Sequence, residues 1–306
     1  MSQSPRLLVV GGSGFVGRHV VQRAVSLGWQ VTSLSLHAAS RAVPEGVRFA
    51  VADIGDAAAL RDSLLDATFD YVVNCGGYID HTLYFNGGRR VFDSHLGGVA
   101  NLADILNRNS LQAFVNLGSS DEYGSNSAPQ HEAQRECAIS PYSLGKVAAT
   151  HLLQMLWRTQ QFPATTLRLF LTYGPGQDKH RFIPQIIQGC LDGRSFPVSA
   201  GEQLRDFCFI DDTVDAVFAA LTTAAARGEV INIGSGQPML IRRMIEATRA
   251  QVGAGIPQFG AIAYRPGENM ALYADAGKAR RLLGWHAKIP LENGLAATIR
   301  SMKDAE

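Results

Sequence analysis

A glycine-rich segment near the N-terminus constrains the fold more than any other feature of the chain. The segment Gly11 to Gly17, GGSGFVG, follows four apolar residues and opens a stretch of helical periodicity that reaches Leu27. Glycines between a buried strand and a helix permit a tight turn and let a ligand approach the backbone closely. The amide groups at the start of such a helix attract a diphosphate. The segment therefore predicts the phosphate-binding turn of a dinucleotide-binding βαβ unit.

Apolar runs alternate with helical patterns through the first 170 residues of the chain. Each run is continuous in apolar character, which is typical of strands buried on both faces of a parallel sheet. The intervening stretches repeat apolar residues at intervals of three and four, as amphipathic helices do. The pattern predicts an α/β fold, a Rossmann doubly wound parallel sheet. The predicted strands cover residues 7–10, 30–34, 48–51, 71–74, 113–117 and 165–170, and the predicted helices cover residues 14–27, 57–65, 91–107 and 141–159.

The pattern loosens after Gly174-Pro175-Gly176, where regular alternation of strand and helix ends. We expect helices over residues 182–191, 212–225 and 241–251, and strands over 206–210 and 230–233. The chain is accordingly divided into two units. Residues 1–172 form the dinucleotide-binding domain, to which 206–233 partly return, and residues 173–306 form a smaller mixed α/β C-terminal lobe that binds the substrate.

Composition excludes several functional classes. Lys and Arg number 28 against 27 Asp and Glu, and a net charge of +1 provides no positive field for nucleic acid. No apolar stretch approaches the roughly 20 residues of a membrane helix, and no signal peptide precedes the first strand, so we expect a cytoplasmic protein. The four cysteines are widely spaced and the histidines are scattered, which predicts free thiols and no metal site.

A tyrosine and a lysine lie four residues apart within the predicted helix 141–159. Positions i and i+4 share one helix face, so the Lys146 ammonium can lie beside the Tyr142 hydroxyl. A neighbouring positive charge lowers the pKa of a phenol. Tyr142 is therefore a candidate for proton transfer, with Lys146 as its activator.

Several further motifs occur in a fixed order along the chain. With the glycine turn and the Tyr-x-x-x-Lys pair, they resemble those of the extended short-chain dehydrogenases/reductases, specifically the nucleotide-sugar epimerases, dehydratases and reductases. The resemblance runs from Leu7 to about Leu295, and it implies a nicotinamide cofactor and a nucleotide-diphosphate sugar as partners. The motifs are Asp53-Ile54, Ser119-Ser120-Asp121-Glu122-Tyr123-Gly124, Tyr173-Gly174-Pro175-Gly176-Gln177, Arg205-Asp206-Phe207, Asn232-Ile233-Gly234-Ser235-Gly236 and Gly284-Trp285.

The resemblance also implies a third catalytic residue, a Ser or Thr at the end of the strand before the Tyr helix. Ser120 matches this position best, and Ser119 is the alternative. The hydroxyl would hydrogen-bond the reacting carbonyl or alkoxide. The predicted catalytic residues are thus Ser120, Tyr142 and Lys146.

The end of the second predicted strand bears on the choice of cofactor. An NAD site usually has an acid there for the ribose 2′-hydroxyl, whereas residues 35–41 contain no carboxylate. Ser35, His37 and Arg41 could receive a 2′-phosphate, which favours NADP(H), with NAD(H) as the alternative. Asp53 resembles the family's adenine contact, or else caps the following helix. The cofactor residues implied by the resemblance are Gly11, Ser13, Gly14, Phe15, Val16, Gly17, Ser35, His37, Arg41, Asp53, Ile54, Cys75, Gly76, Gly77, Leu117, Tyr142, Lys146 and Leu169.

Arginines dominate the substrate side. Arg205 and Arg265 match family positions that hold the diphosphate and ribose of a nucleotide sugar, and Glu268 matches a ribose contact. Forked guanidinium donors suit phosphate oxygens. The implied substrate residues are Ser119, Ser120, Glu122, Arg181, Arg205, Arg265, Glu268 and His81, which is otherwise a loop histidine in solvent.

The acidic pair Asp121-Glu122 resembles the Asp-Glu of nucleotide-sugar 4,6-dehydratases, where the Asp protonates the leaving hydroxyl and the Glu removes the C5 proton. Here Tyr123 follows Glu122 directly, as in the GDP-4-keto-6-deoxymannose reductases. This favours NADPH-dependent reduction of the 4-keto group of a nucleotide-linked 4-keto-6-deoxyhexose. The alternatives are an NAD-dependent 4-epimerase, then a 4,6-dehydratase, and outside enzymes an NADP(H)-sensing binding protein.

Two predicted helices, 91–107 and 141–159, resemble those that form a four-helix dimer interface in the family. The resemblance implies a homodimer. The apolar faces of these helices could equally serve the core of the monomer.

Overall fold

The structure is a computed structural model that describes residues 4–38, 43–65, 67–264 and 267–305. Two predicted ligand residues, Arg41 and Arg265, lie outside the described residues. The strands are β1 (Arg6–Val10), β2 (Gln30–Ser35), β3 (Arg48–Val51), β4 (Tyr71–Asn74), β5 (Ala113–Ser119), β6 (Ala164–Leu169), β7 (Leu171–Tyr173), β8 (Ser195–Val198), β9 (Leu204–Phe209), β10 (Val230–Ile233), β11 (Pro238–Leu240), β12 (Ile256–Phe259) and β13 (Ala271–Leu272). The helices are α1 (Phe15–Ser26), α2 (Ala57–Ser63), α3 (Arg89–Ile105), α4 (Pro141–Gln160), α5 (Phe182–Leu191), α6 (Ile210–Thr222), α7 (Ile241–Val252), α8 (Gly277–Leu283) and α9 (Leu291–Lys303).

Seven parallel strands form the main sheet, in the order β10-β6-β5-β4-β1-β2-β3. Side chains along β1 alternate between two cores, since Leu7 and Val9 belong to one and Leu8 and Val10 to the other. Both sets are buried, which explains why the strand sequences are apolar without interruption. The predicted Rossmann doubly wound sheet is confirmed.

The strand order reverses at the centre of the sheet, where β1 lies between β2 and β4. The connections from β1 and β4 therefore leave in opposite directions and open a crevice at the carboxyl ends of the strands. The turn after β1, the end of β2, the turn after β4 and the end of β5 all meet at this edge. The topology thus gathers most of the predicted cofactor residues at one place.

The C-terminal part contains two smaller sheets. Strand β9 lies between β11 and β13 and also pairs with β7, whereas β8 and β12 form a two-stranded parallel ribbon. Sequence periodicity did not predict β7, β8, β11, β12 or β13, because strands of two to four residues are too short for a periodic signal. Helices α8 and α9 were not predicted either. Strand β10 joins the main sheet beside β6, and the division of the chain at residue 172 stays a prediction.

Helices α3 and α4 pack side by side on one face of the main sheet. Their packing partly fills the apolar faces that suggested a dimer, and homodimerisation stays a prediction. No helix in the described part of the chain is long and apolar enough to cross a membrane.

Asp206 on β9 connects three segments of the C-terminal part. Its carboxylate is fully buried and accepts hydrogen bonds from the amide and hydroxyl of Ser235, both at 2.6 Å. It also accepts from the amides of Gly236 at 2.9 Å and Ala274 at 3.1 Å. Burial raises the pKa of Asp206, and these four donors oppose that effect. The carboxylate therefore joins β9 to the loop after β10 and to the segment after β13.

We expect Asp206→Asn to lower the free energy of unfolding by about 2–4 kcal/mol, because one amide hydrogen must then face backbone donors inside the protein. The measurement is urea unfolding followed by circular dichroism. Asp211→Asn is the matched control, since Asp211 is exposed in the first turn of α6 and its loss should cost less than about 0.5 kcal/mol. Equal stabilities of the two variants would contradict this function of Asp206.

Candidate active site

The glycine turn after β1 leaves no room for side chains. Gly11 has φ +71°, and a Cβ there would lie 2.8 Å from the carbonyl oxygen of Cys75. A Cβ on Gly17 would collide with the backbone of Gly11. Gly14 caps α1 without a side-chain hydrogen bond, and the first turn of α1 holds no acidic residue. The turn therefore fits the diphosphate of a dinucleotide, which needs close backbone approach and a positive helix end.

Ser35, at the end of β2, braces this turn. Its side chain is buried, and its hydroxyl accepts a hydrogen bond from the Ser13 amide at 3.1 Å. His37, two residues later, is exposed to solvent. The Ser35 hydroxyl is thus already bonded within the protein at the position where an acid commonly binds ribose.

Asp53, after β3, is exposed and accepts a hydrogen bond from the Gly55 amide at 2.8 Å. The cap of α2 is Asp56, whose carboxylate accepts from the amides of Ala58 and Ala59. The alternative that Asp53 caps this helix is therefore wrong, and its contact with adenine stays a prediction.

The remaining predicted cofactor residues line the same edge of the sheet. Asn74, at the end of β4, accepts a hydrogen bond from the Gly76 amide at 3.0 Å and so shapes the turn that follows. Ile54 packs against this turn, since a Cβ on Gly76 would meet its side chain. The structure places Cys75, Gly76 and Gly77 after β4, Leu117 within β5 and Leu169 at the end of β6.

The Ser119 side chain lies beside the Tyr142 hydroxyl and lowers the pKa of that phenol. Tyr142 lies in the first turn of α4, which Ser140 caps through the Ser143 amide, and Ser119 ends β5. The Ser119 oxygen also accepts from the Asp121 amide at 3.1 Å, so its own proton is available to the Tyr142 oxygen. Ser120 is buried in the 3₁₀ helix that follows β5. Of the two candidate serines, Ser119 is the one that contacts Tyr142.

Lys146 forms a hydrogen bond with the backbone of β5. Its ammonium donates to the Leu117 carbonyl at 2.8 Å, and burial lowers the pKa of Lys146 to about 8 while the charge of Glu122 opposes this effect. The pKa of Tyr142 is raised, first by burial and then by the negative charge of Asp121. The sequence predicts a lowered tyrosine pKa, whereas in the free protein burial raises it. Activation of Tyr142 by Lys146 stays a prediction.

Two histidine rings contact the Tyr142 ring edge to face. The ring centroid of His95, on α3, lies 5.2 Å away, and that of the exposed His81 lies 5.7 Å away. His95 donates to the Tyr78 carbonyl, and burial lowers its pKa to about 3, so its ring is neutral at physiological pH. His81 is therefore both exposed and in contact with the candidate catalytic tyrosine.

Asp121 is surrounded by charged side chains. His81, Arg181 and Arg205 each lower the pKa of its carboxyl, but burial raises it more, and the overall shift is upward. Glu268 also raises that pKa and forms an ion pair with Arg205. The predicted residues His81, Arg181, Arg205 and Glu268 thus come together around Asp121, which the sequence singled out only by its likeness to dehydratases.

Glu122 does not contact the substrate cleft, which corrects its prediction as a substrate residue. Its carboxylate is fully buried and pairs with Arg168, a fully buried residue of β6. It also accepts the Ser119 amide at 2.9 Å. Sequence reasoning missed Arg168 as a functional residue, although an arginine inside an apolar strand requires a buried partner.

Comparison with known proteins identifies the family of this chain. The NAD dependent epimerase/dehydratase family matches residues 7–234. The chain is 28% identical to dTDP-glucose 4,6-dehydratase of Xanthomonas campestris pv. campestris, with 95% of this chain and 91% of that protein covered. It is 24% identical to the bifunctional UDP-glucose 4-epimerase and UDP-xylose 4-epimerase 1 of Pisum sativum, with 96% and 92% covered.

A solved structure, MoeE5 in complex with UDP-glucose and NAD, superimposes with a TM-score of 0.86 at 25% identity. The match covers 98% of this chain and 99% of MoeE5. The fold and the family match together place this chain among the extended short-chain dehydrogenases/reductases. Within them it belongs to the NAD dependent epimerase/dehydratase family.

The lowered pKa of Lys146 is directly measurable, because the chain has only five lysines. With ¹³Cε-labelled lysine, we expect one resonance to titrate at about pH 8, well below the ordinary lysine value of about 10.4. Lys146→Met should remove that resonance and no other. A spectrum in which all five lysines titrate together would contradict the burial of the Lys146 ammonium.

Proposed function

We propose that this protein is an NAD-dependent 4-epimerase that acts on the hexose of a nucleoside diphosphate sugar. The observation that carries the proposal is the pair of hydroxyls at the carboxyl edge of the sheet, with Ser119 at the end of β5 beside Tyr142 at the start of α4. Such a pair can hold the oxygen at C4 and move its proton. Family membership supports this class of reaction.

The glycine turn would hold the cofactor diphosphate through the amides at the start of α1. The predicted preference for NADP(H) rested on Ser35, His37 and Arg41. We favour NAD(H), because MoeE5, which is similar to this chain over 98% of the chain's length, holds NAD. When bound, NAD supplies a hydride acceptor and, in its oxidised form, a positive charge.

The substrate would bind on the other side of Tyr142. Arg205 and Arg181 provide guanidinium donors for a diphosphate, and Glu268, held by Arg205, provides acceptors for ribose hydroxyls. MoeE5 binds UDP-glucose, a ligand of this class. Tyr142 is protonated in the free protein because its pKa is raised, so ligand binding must lower that pKa before Tyr142 accepts the C4 proton.

The position of Glu122 favours epimerisation over 4,6-dehydration. By the resemblance stated above, the elimination uses an Asp and a Glu that both reach the sugar. Here Asp121 lies among the charged side chains of Arg181 and Arg205. Glu122, in contrast, is buried and bonded to Arg168 and to the Ser119 amide. The identity to dTDP-glucose 4,6-dehydratase keeps dehydration as the second candidate. Reduction of a 4-keto-6-deoxyhexose is the third, since it depends on exchangeable NADPH.

One experiment separates these three reactions. The purified protein is denatured and its cofactor identified by mass spectrometry, and native protein is incubated with UDP-glucose and with dTDP-glucose. Retained NAD and formation of the C4 epimer, seen by NMR, are the expected result. A 4-keto-6-deoxy product would establish dehydration instead. Exchangeable NADP(H) and turnover only of a 4-keto-6-deoxy sugar nucleotide would establish the reductase.

Tyr142→Phe removes the hydroxyl that moves the proton. We expect kcat for epimerisation to fall by about 10³-fold, with KM for the nucleotide sugar within about threefold of wild type. The loss should occur without a change in melting temperature beyond a few degrees. Near-normal turnover of the variant would refute the assignment.

The two adjacent serines should differ in their effect on turnover. We expect Ser119→Ala to lower kcat by about 10²-fold, because it removes the hydroxyl that contacts Tyr142. Ser120→Ala should lower kcat by no more than about tenfold, because the Ser119 contact with Tyr142 is retained. The reverse ranking would restore Ser120 as the catalytic serine predicted from the sequence.

A further inference from the structure

One carboxylate joins the two elements that carry the Ser119 and Tyr142 hydroxyls. Glu122 Oε1 accepts the backbone amide of Ser119 at 2.9 Å, and Oε2 accepts the Thr150 hydroxyl at 3.0 Å. Thr150 lies on α4 about two helical turns after Tyr142. Glu122 therefore ties the end of β5, which carries Ser119, to the helix that carries Tyr142.

The space around Glu122 is shaped for this carboxylate. A Cβ on Gly118 would lie 2.5 Å from Glu122 Oε1, so a glycine is required where β5 passes it. Gly118 is paired in register with Arg168 on β6, which brings the guanidinium to the same point. Three donors, from Ser119, Thr150 and Arg168, converge on the two carboxylate oxygens. Both oxygens must therefore act as acceptors.

Arg168 compensates the burial of the Glu122 charge. Its Nε donates to Glu122 Oε2 at 2.9 Å, and both side chains have no exposed surface. On its far side the guanidinium pairs with Glu136 and lies 4.6 Å from the Tyr123 ring centroid. Burial lowers the pKa of Arg168, but Glu122, Tyr123 and Glu136 together raise it more. A carboxylate with no such partner would be too costly to bury at this depth.

The charge of Glu122 also acts on the two proton-transfer residues above it. It raises the pKa of Lys146, against the effect of burial, and it raises the pKa of Tyr142. Other charged groups facing Tyr142 are Asp121 and Arg181, and the Cys75 thiol faces Lys146. The rings of His81 and His95 contact Tyr142 from the remaining sides.

We propose that Glu122, clamped by Arg168, is a positioning residue that fixes the Ser119 hydroxyl against Tyr142 by holding the Ser119 amide and Thr150 together. The inference rests on the proposed function, because it assigns the Ser119–Tyr142 pair to catalysis. Glu122 touches neither reacting atoms nor cofactor, and acts only through Ser119 and α4.

The first test is Glu122→Gln, which keeps the shape but replaces one acceptor by a donor. That donor must face the Ser119 amide, or else Thr150 and Arg168, all of which also donate. With UDP-glucose as the probe, we expect kcat to fall about 30-fold and KM to stay within about threefold. The pH profile of kcat should also move to lower pH, because loss of the negative charge lowers the pKa of Tyr142.

A merely structural function of Glu122 would give a different result. The melting temperature and the yield of active protein would fall, whereas kcat per active site and the pH profile would match wild type. That outcome would overturn the inference. Active sites are counted by titration of retained NAD, so loss of folded protein is separated from loss of turnover.

Thr150→Val provides a second variant, which removes only one hydrogen bond to Glu122 and keeps side-chain volume. We expect kcat to fall about threefold to tenfold, with KM unchanged. Thr248→Val is the matched control, because Thr248 is equally buried in α7 and donates to the Met244 carbonyl of its own helix. Wild-type kcat in Thr150→Val, or equal losses in the two variants, would contradict the inference even if Glu122→Gln fails to fold.

Tyr142→Phe separates this inference from the proposed function. If that variant turns over normally, the proposed function fails first. If Tyr142→Phe is inactive while Glu122→Gln retains wild-type kcat and pH profile, the proposed function stands and only the positioning function of Glu122 is refuted.

Discussion

The parallel hydrogen bonding of β1 between β2 and β4 is the constraint on which the rest of this structure depends. Because β1 is the point where strand order reverses, the connections on its two sides diverge and leave a crevice at the carboxyl edge. Every group in the proposed site belongs to that edge or to the lobe that faces it. The glycine turn, Ser35, Cys75 and Ser119 are adjacent because parallel strands present their carboxyl ends together.

Burial of polar groups shapes the site as much as topology does. Tyr142, Lys146, Glu122 and Arg168 are all nearly inaccessible to solvent, which moves the pKa of Lys146 down and that of Tyr142 up. In the free protein Tyr142 is therefore protonated, and about half of the Lys146 side chains are protonated near pH 8. The ion pair with Arg168 offsets the free-energy cost of burying the Glu122 charge. A charged ligand that binds in this site would therefore change the pKa values of Tyr142 and Lys146.

The N-terminal elements could be predicted to within about two residues, whereas several C-terminal strands could not. The strand Tyr71–Asn74 was predicted at its observed bounds, as was Arg48–Val51. Strands such as Ala271–Leu272 carry no pattern of their own and exist only because β9 offers backbone partners. The candidate site was also predicted only in part. Spacing in the sequence identified the glycine turn, Tyr142 and Lys146, but it did not predict which residues contact Tyr142 and Lys146.

The sequence by itself determined the doubly wound fold, the family and the position of the cofactor turn, because these depend on local apolar runs and on glycines that no other residue replaces. Only the tertiary structure brings the Ser119 side chain beside Tyr142, since a shift of one residue at a strand end turns a side chain to the other face. It also decided that the Lys146 ammonium binds Leu117 and that Glu122 is buried against Arg168. These contacts join residues that are distant in sequence, and their geometry is set by strand register and helix packing, which no local pattern contains.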